Sequence, residues 1–161
     1  MTFPALVNSG DSRQILLIVD DNQASIRLLR EAFRDRPTAI DIVAVQNGID
    51  ALDYLYRKGE FTNARRPSLI LLDLNLPRKN GQEIIAEIKA DPQLKTIPVV
   101  VLSNSRRQKD INTSYQLHAN CYIQKPSNLK QLLTIARRID EFWLNTVALP
   151  TVSGSSLDQE S

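Results

Sequence analysis

Cysteine and histidine each occur once in this chain of 161 residues, as Cys121 and His118. A single cysteine excludes an internal disulfide framework and the paired spacings of a zinc site. A single histidine rules out a His-rich metal centre and argues against a Ser-His-Asp arrangement. No apolar run approaches the roughly 20 residues needed to span a bilayer. The N-terminus has no charged region followed by a long apolar stretch, so no secretory signal is expected. The formal charge of +2 is too small to argue for nucleic acid on balance alone. These absences lead to the expectation of a cytoplasmic protein with neither a membrane nor a nucleic-acid partner. What is present is 42% hydrophobic and 24% charged residues. That is an ordinary globular composition, at a length that fits one domain with a sizeable core.

Both ends lack periodicity, and tails are expected at 1–12 and 148–161 around a domain at 13–147. Inside, short aliphatic runs alternate with helical patterns: ILLIV (15–19), IDIVAV (40–45), LILL (69–72), PVVVL (98–102) and CYIQ (121–124). Three of them are continuously apolar, as in parallel strands covered on both faces. Between them, Ile26, Leu29 and Phe33 follow a helical spacing behind an Asn22 cap. Ala51, Leu52 and Leu55 mark a second helix, Ile84, Ile85 and Ile88 a third, and 109–117 a weaker fourth. Ser127 is the expected cap of the last and longest helix. Five such units predict a doubly wound α/β fold, (βα)5, with parallel strand order 2-1-3-4-5 and a switch point between strands 1 and 3.

The most apolar strand ends in a charge, Asp73, within SLILLDLNLPRKNG. Ligands in such sheets bind beyond the carboxyl ends of the strands at the switch point. Strand 1 ends in Asp20-Asp21-Asn22, so three carboxylates converge there. A hard divalent cation resolves their repulsion, and an all-oxygen site suits Mg²⁺, with Mn²⁺ able to substitute. Ser103 and Lys125 close strands 4 and 5. A metal ion, a hydroxyl and an ammonium around one carboxylate form a site for a tetrahedral dianion, which points to Asp73 as a phosphoryl-accepting nucleophile. Taken singly, an acidic pair after a strand caps a helix, a serine makes a turn and a lysine is solvated. Their joint placement on successive strand ends is what discriminates.

These motifs resemble the receiver domain of two-component response regulators, from about residue 13 to 144. IVDDN resembles the acidic pair, LILLDLNLPRKNG the phosphoacceptor segment, VVVLSNS the switch hydroxyl and CYIQKP the Lys-Pro motif. The resemblance implies that Asp73 is phosphorylated, that Asp21 ligates Mg²⁺ directly and that Asp20 does so through water. It also implies a ligand in the backbone carbonyl of Asn75, a phosphoryl hydrogen bond from Ser103 and an ion pair from Lys125. Tyr122 looks like the aromatic switch, and a cis peptide is implied at Lys125–Pro126. YQLHANCYIQKP and EFWL, followed by LP, further resemble single-domain phytochrome-associated regulators of cyanobacteria. That narrower likeness implies a phytochrome-type histidine kinase as donor and no bilin on this chain.

Two enzyme or cofactor readings compete. Haloacid-dehalogenase-like phosphatases also use an aspartyl nucleophile, but after strand 1 and with an acid two positions on, where this chain has Asn75. A flavin-binding domain on this topology needs a phosphate-cradling loop after strand 1, and DDNQAS would repel phosphate. The expectation is therefore a signalling switch rather than an enzyme, with only a short tail after Leu144. His118 is expected on a surface loop, Cys121 as a small buried residue, and SRRQKD as a possible kinase-docking patch.

The last helix should lay Leu129, Leu132, Leu133, Ala136 and Ile139 on the sheet. Ile135, Phe142, Trp143 and Leu144 are left over. The expected use of this patch is a two-fold homodimer through helix 4, strand 5 and helix 5, with Phe142 and Trp143 as anchors.

Overall fold

In the computed structural model, which describes residues 13–34 and 40–151, the five aliphatic runs form one parallel sheet. In chain order the elements are β1 (Gln14–Val19), α1 (Gln23–Arg34), β2 (Ile40–Val45), α2 (Gly48–Tyr56) and β3 (Leu69–Leu72). There follow α3 (Gly81–Ala90), β4 (Val99–Ser103), α4 (Gln108–Gln116), β5 (Cys121–Gln124) and α5 (Leu129–Ile139). The strand order is β2-β1-β3-β4-β5. The expected tail at 1–12 and the part of the other at 152–161 lie outside the described residues.

Strand alternation divides the core in two. Leu69 and Leu71 of β3 face α1 and α5, where Leu29, Phe33, Leu132 and Ala136 cover them. Ile70 and Leu72 face α2 and α3, against Ala51, Leu52, Ile84 and Ile88. The three central strands, β1, β3 and β4, are buried almost throughout, whereas β2 and β5 are mostly half-buried, as edges must be. The continuous apolar runs thus mark the middle of the sheet.

Helix starts follow local chemistry. The Asn22 side chain accepts from the Ser25 amide at 3.0 Å and caps α1. Asn80 and Glu83 form a reciprocal capping box at α3. The start of α5 departs from expectation. Asn128, not Ser127, supplies the cap, accepting from the Lys130 amide at 2.7 Å. Leu129, the first residue of the helix, is 57% exposed, while Leu132, Ala136 and Ile139 are buried as expected.

Beyond Ile139 the helix continues as a π-helical segment, Asp140–Thr146. The wider turn changes the phase of the side chains. Leu144 turns into the core, Ile135 and Trp143 pack partly against it, and Phe142 stays exposed. Leu144 is therefore not part of the leftover patch. Phe142 and Trp143 meet edge to face, with centroids 5.4 Å apart. Of the expected tail at 148–161, Leu149 is half-buried and packs against the α1/α5 side of the core.

Candidate phosphoacceptor site

Three site residues sit one position beyond a strand, and each is still held by the sheet ladder. The Asp20 amide donates to Val45 O at 3.1 Å, the Asp73 amide to Val19 O at 2.9 Å, and the Lys125 amide to Ser103 O at 2.7 Å. The ladders place these side chains together above the carboxyl edge of the sheet.

The two buried carboxylates are held alike. One oxygen of each accepts from its own loop: Asp20 Oδ1 from the Asn22 amide at 2.8 Å, and Asp73 Oδ1 from the Asn75 amide at 3.2 Å. The other oxygen of each faces Lys125 Nζ, at 2.7 Å for Asp20 Oδ2 and 3.3 Å for Asp73 Oδ2. Asp20, Asp73 and Lys125 are all buried, whereas Asp21 is exposed. Burial pushes the Asp20 carboxyl above its usual range, and its hydrogen bond to Lys125 only partly opposes this. For Lys125, burial acts downward, but the contacts with Asp20 and the field of Asp73 outweigh it and raise the ammonium.

One ammonium thus serves more than one carboxylate. Ligand atoms of Asp20, Asp21 and Asp73 all lie within 4.8 Å of one another. An all-oxygen cluster with two buried carboxylates, one exposed carboxylate and surplus negative charge fits a hard divalent cation. The Lys125–Pro126 bond is trans, since among the described residues no peptide is cis, so the expected cis bond is not found. The lysine reaches both carboxylates all the same, because its long stem crosses from β5 and the backbone is fixed by Ser103.

Two glycines let the rims close. A Cβ on Gly81 would lie 2.5 Å from Asp73 O and 2.7 Å from Leu74 Cα, and one on Gly48 would lie 2.0 Å from Lys79 O. The loop after β3 is therefore wedged between the starts of α2 and α3. Neither glycine was singled out from sequence, although Gly81 follows the Asn80–Glu83 capping signature.

Ser103 is the fully buried last residue of β4, and its Oγ accepts from the Ser105 amide at 3.2 Å. The Tyr122 hydroxyl donates to Ser105 O at 2.8 Å, tying β5 to the loop that follows Ser103. Ser105 Oγ in turn donates to Asp110 at 2.6 Å. Arg106 reaches Gln124 at 2.8 Å. Ser105 and Asp110 are the two ends of SRRQKD, expected only as a docking patch; their hydrogen bonds to each other and to Tyr122 leave no spacing signal in a sequence. Phe142 and Trp143 lie away from this cluster, beside a groove that also involves Ile123 and Arg138. His118 is exposed in the left-handed region at the end of α4, and Cys121 is half-buried.

A doubly wound sheet with a lysine-bridged carboxylate cluster at its switch point defines a class of α/β domains with a charged site at the strand carboxyl ends. Within that class the chain belongs to the response regulator receiver domain family, which matches residues 16–137. It is a receiver of two-component systems, and so a signalling domain rather than a conventional enzyme. Response regulator Rcp1 of Synechocystis sp. is 45% identical over 137 residues, 85% of this chain and 93% of that protein. The phosphorylated cyanobacterial phytochrome response regulator RcpA superposes with a TM-score of 0.85 at 52% identity, covering 87% of this chain and all of the other. The Mn²⁺-bound form of Rcp1 gives 0.83 at 45% identity, over 86% and 99%. The chain is thus homologous to phytochrome response regulators. Among the described residues, no helix is long and apolar enough to cross a membrane.

Proposed function

We propose that the protein accepts a phosphoryl group on Asp73 from the phosphohistidine of a histidine kinase and signals through the face made by α4, β5 and α5. The observation that carries this is the sharing of Lys125 Nζ between Asp20 and Asp73. Such a lysine is already placed to meet the added charge of a phosphoryl group on Asp73. A carboxylate oxygen of Asp73 attacks phosphorus, the bond from phosphorus to the imidazole nitrogen breaks, and its electron pair stays on the imidazole. Lys125 then pairs with the phosphoryl oxygens, and the Ser103 hydroxyl donates to one of them. Asp20, Asp21, Asp73 and the Asn75 carbonyl would hold Mg²⁺, or Mn²⁺ in its place, which neutralises charge on the transferring group. Water later attacks the same phosphorus, the bond from phosphorus to the Asp73 oxygen breaks, and inorganic phosphate leaves with the carboxylate restored.

Movement of the Ser103–Ser105 segment toward the phosphoryl group would be felt at Tyr122, whose hydroxyl binds Ser105 O. Likeness to the phytochrome response regulator RcpA supports a phytochrome-type kinase as donor, and a cytoplasmic setting is part of this reading. The exposed Phe142, beside half-buried Trp143, supports a two-fold homodimer of this face. The core reading is tested by weighing the intact protein after incubation with acetyl phosphate. Wild type should gain one phosphoryl group with Mg²⁺ and none with a chelator. Equal gain by Asp73→Asn, or no gain by wild type with Mg²⁺, would overturn it.

A further inference from the structure

The pole of the sheet opposite the carboxylates is lined with arginine. A cavity of about 610 Å³ lies between the end of α2, the segment entering β3 and the segment entering β4. Arg57, Arg65 and Arg66 line it, with Asp91 the only acidic residue among the described lining. Asp41 pairs with Arg65 but is shared with Arg13. Arg66 is engaged by Gln93 O and Thr96 Oγ1, both neutral acceptors. Burial, and then the nearby charge of Arg57, push Arg66 below its ordinary value. Arg57 itself stands at the C-cap of α2 with φ 58, a left-handed position that glycine occupies more cheaply. Leaving Arg65 aside, Arg57 and Arg66 still outnumber Asp91, the acidic residue of the described wall.

The chain itself leads there. Leu149 packs on the α1/α5 side of the core, yet the next two residues, Pro150 and Thr151, form part of the cavity wall by Tyr54 and Leu55 of α2. The backbone has thus passed beneath the sheet. The ten residues that follow, VSGSSLDQES, carry Asp158 and Glu160 and no lysine or arginine. They also bring Val152 and Leu157, which suit the apolar part of the wall.

We propose that this cavity is the docking site of the chain's own acidic segment, residues 152–161, with Asp158 and Glu160 facing Arg57, Arg65 and Arg66. An extended chain advances about 3.3 Å per residue, so Asp158 can reach any point of the rim from Thr151. Tethering at the wall gives the segment an effective concentration in the millimolar range, so modest Coulomb attraction suffices. An acidic partner could occupy this pole only by displacing the segment.

The test is a set of amide and arginine Nε–Hε NMR spectra of the full chain, the chain ending at Thr151, and Asp158→Asn/Glu160→Gln. The arginine signals of the full chain should move in both variants in the same direction. They should move the same way in wild type as sodium chloride rises from about 0.01 M to about 1 M, where the Debye length falls from about 30 Å to about 3 Å. A synthetic peptide of residues 152–161 should restore them in the shortened chain. Arginine signals that coincide in all three proteins, or that ignore removal of the two charges, overturn the proposal. Shifts that vanish on dilution of the full chain overturn it in favour of docking onto a second copy.

Discussion

Lys125→Met retains most of the apolar stem of the side chain and removes the one ammonium that Asp20 and Asp73 share at 2.7 and 3.3 Å. All three side chains are buried, so solvent cannot replace the lost charge. At an effective dielectric constant of about 20, a unit pair 4 Å apart interacts by about 4 kcal/mol. Breaking one partner of a buried ion pair costs about 3–5 kcal/mol. For a chain of this size that corresponds to a fall in Tm of roughly 6–20 °C. The assay is urea and thermal unfolding with a chelator present, since a bound cation would mask the loss. Adding Asp73→Asn to Lys125→Met should recover part of the stability, because the variants share one cluster and are not additive. A loss below about 1 kcal/mol, or strict additivity in the double variant, would refute the shared-lysine description.

Further expectations concern the rim, the charge state and the interface. Gly81→Ala should cost about 1–3 kcal/mol in urea unfolding and slow phosphorylation, because its Cβ would press on Asp73 O and Leu74 Cα, which are backbone atoms. Because burial raises Asp20, the metal-free fold retains a proton there that the unfolded chain has lost. Its contribution is fully present below the unfolded value of about 3.9 and is lost as pH rises through the folded value. The stability of wild type relative to Asp20→Asn, followed by urea midpoints, should therefore fall over that window; a flat difference would contradict it. Light scattering should report a dimer for wild type at high micromolar concentration and a monomer for folded Phe142→Ala/Trp143→Ala. A monomeric wild type in both phosphorylation states would dismiss the dimer, and a dimeric variant would dismiss these anchors.

Much of the fold is legible because burial on both faces leaves a one-dimensional trace. Unbroken runs such as LILL name the central strands, and a charge at the end of such a run has few bland explanations. Asp20, Asp21 and Asp73 follow such runs and Lys125 closes the fifth strand of the pattern, and the structure brings all four together. What escaped depends on phase and on neighbours remote in sequence. The last helix is capped by Asn128 rather than Ser127, and its first residue, Leu129, stays in solvent. The π-helical turn after Ile139 delivered Leu144 to the core against the period of 3.6 residues. Gly48 and Gly81 matter only because another loop presses on them, and a sequence does not record that approach.

The most direct test of the phosphoacceptor assignment is chemical mapping of the acyl phosphate. After phosphorylation with Mg²⁺, borohydride reduces an aspartyl phosphate to homoserine, and peptide sequencing by mass spectrometry locates it. Homoserine at position 73 alone, absent from Asp73→Asn, is the expected result. Homoserine at Asp20 or Asp21, or phosphate retained on a serine or on His118, would contradict the assignment.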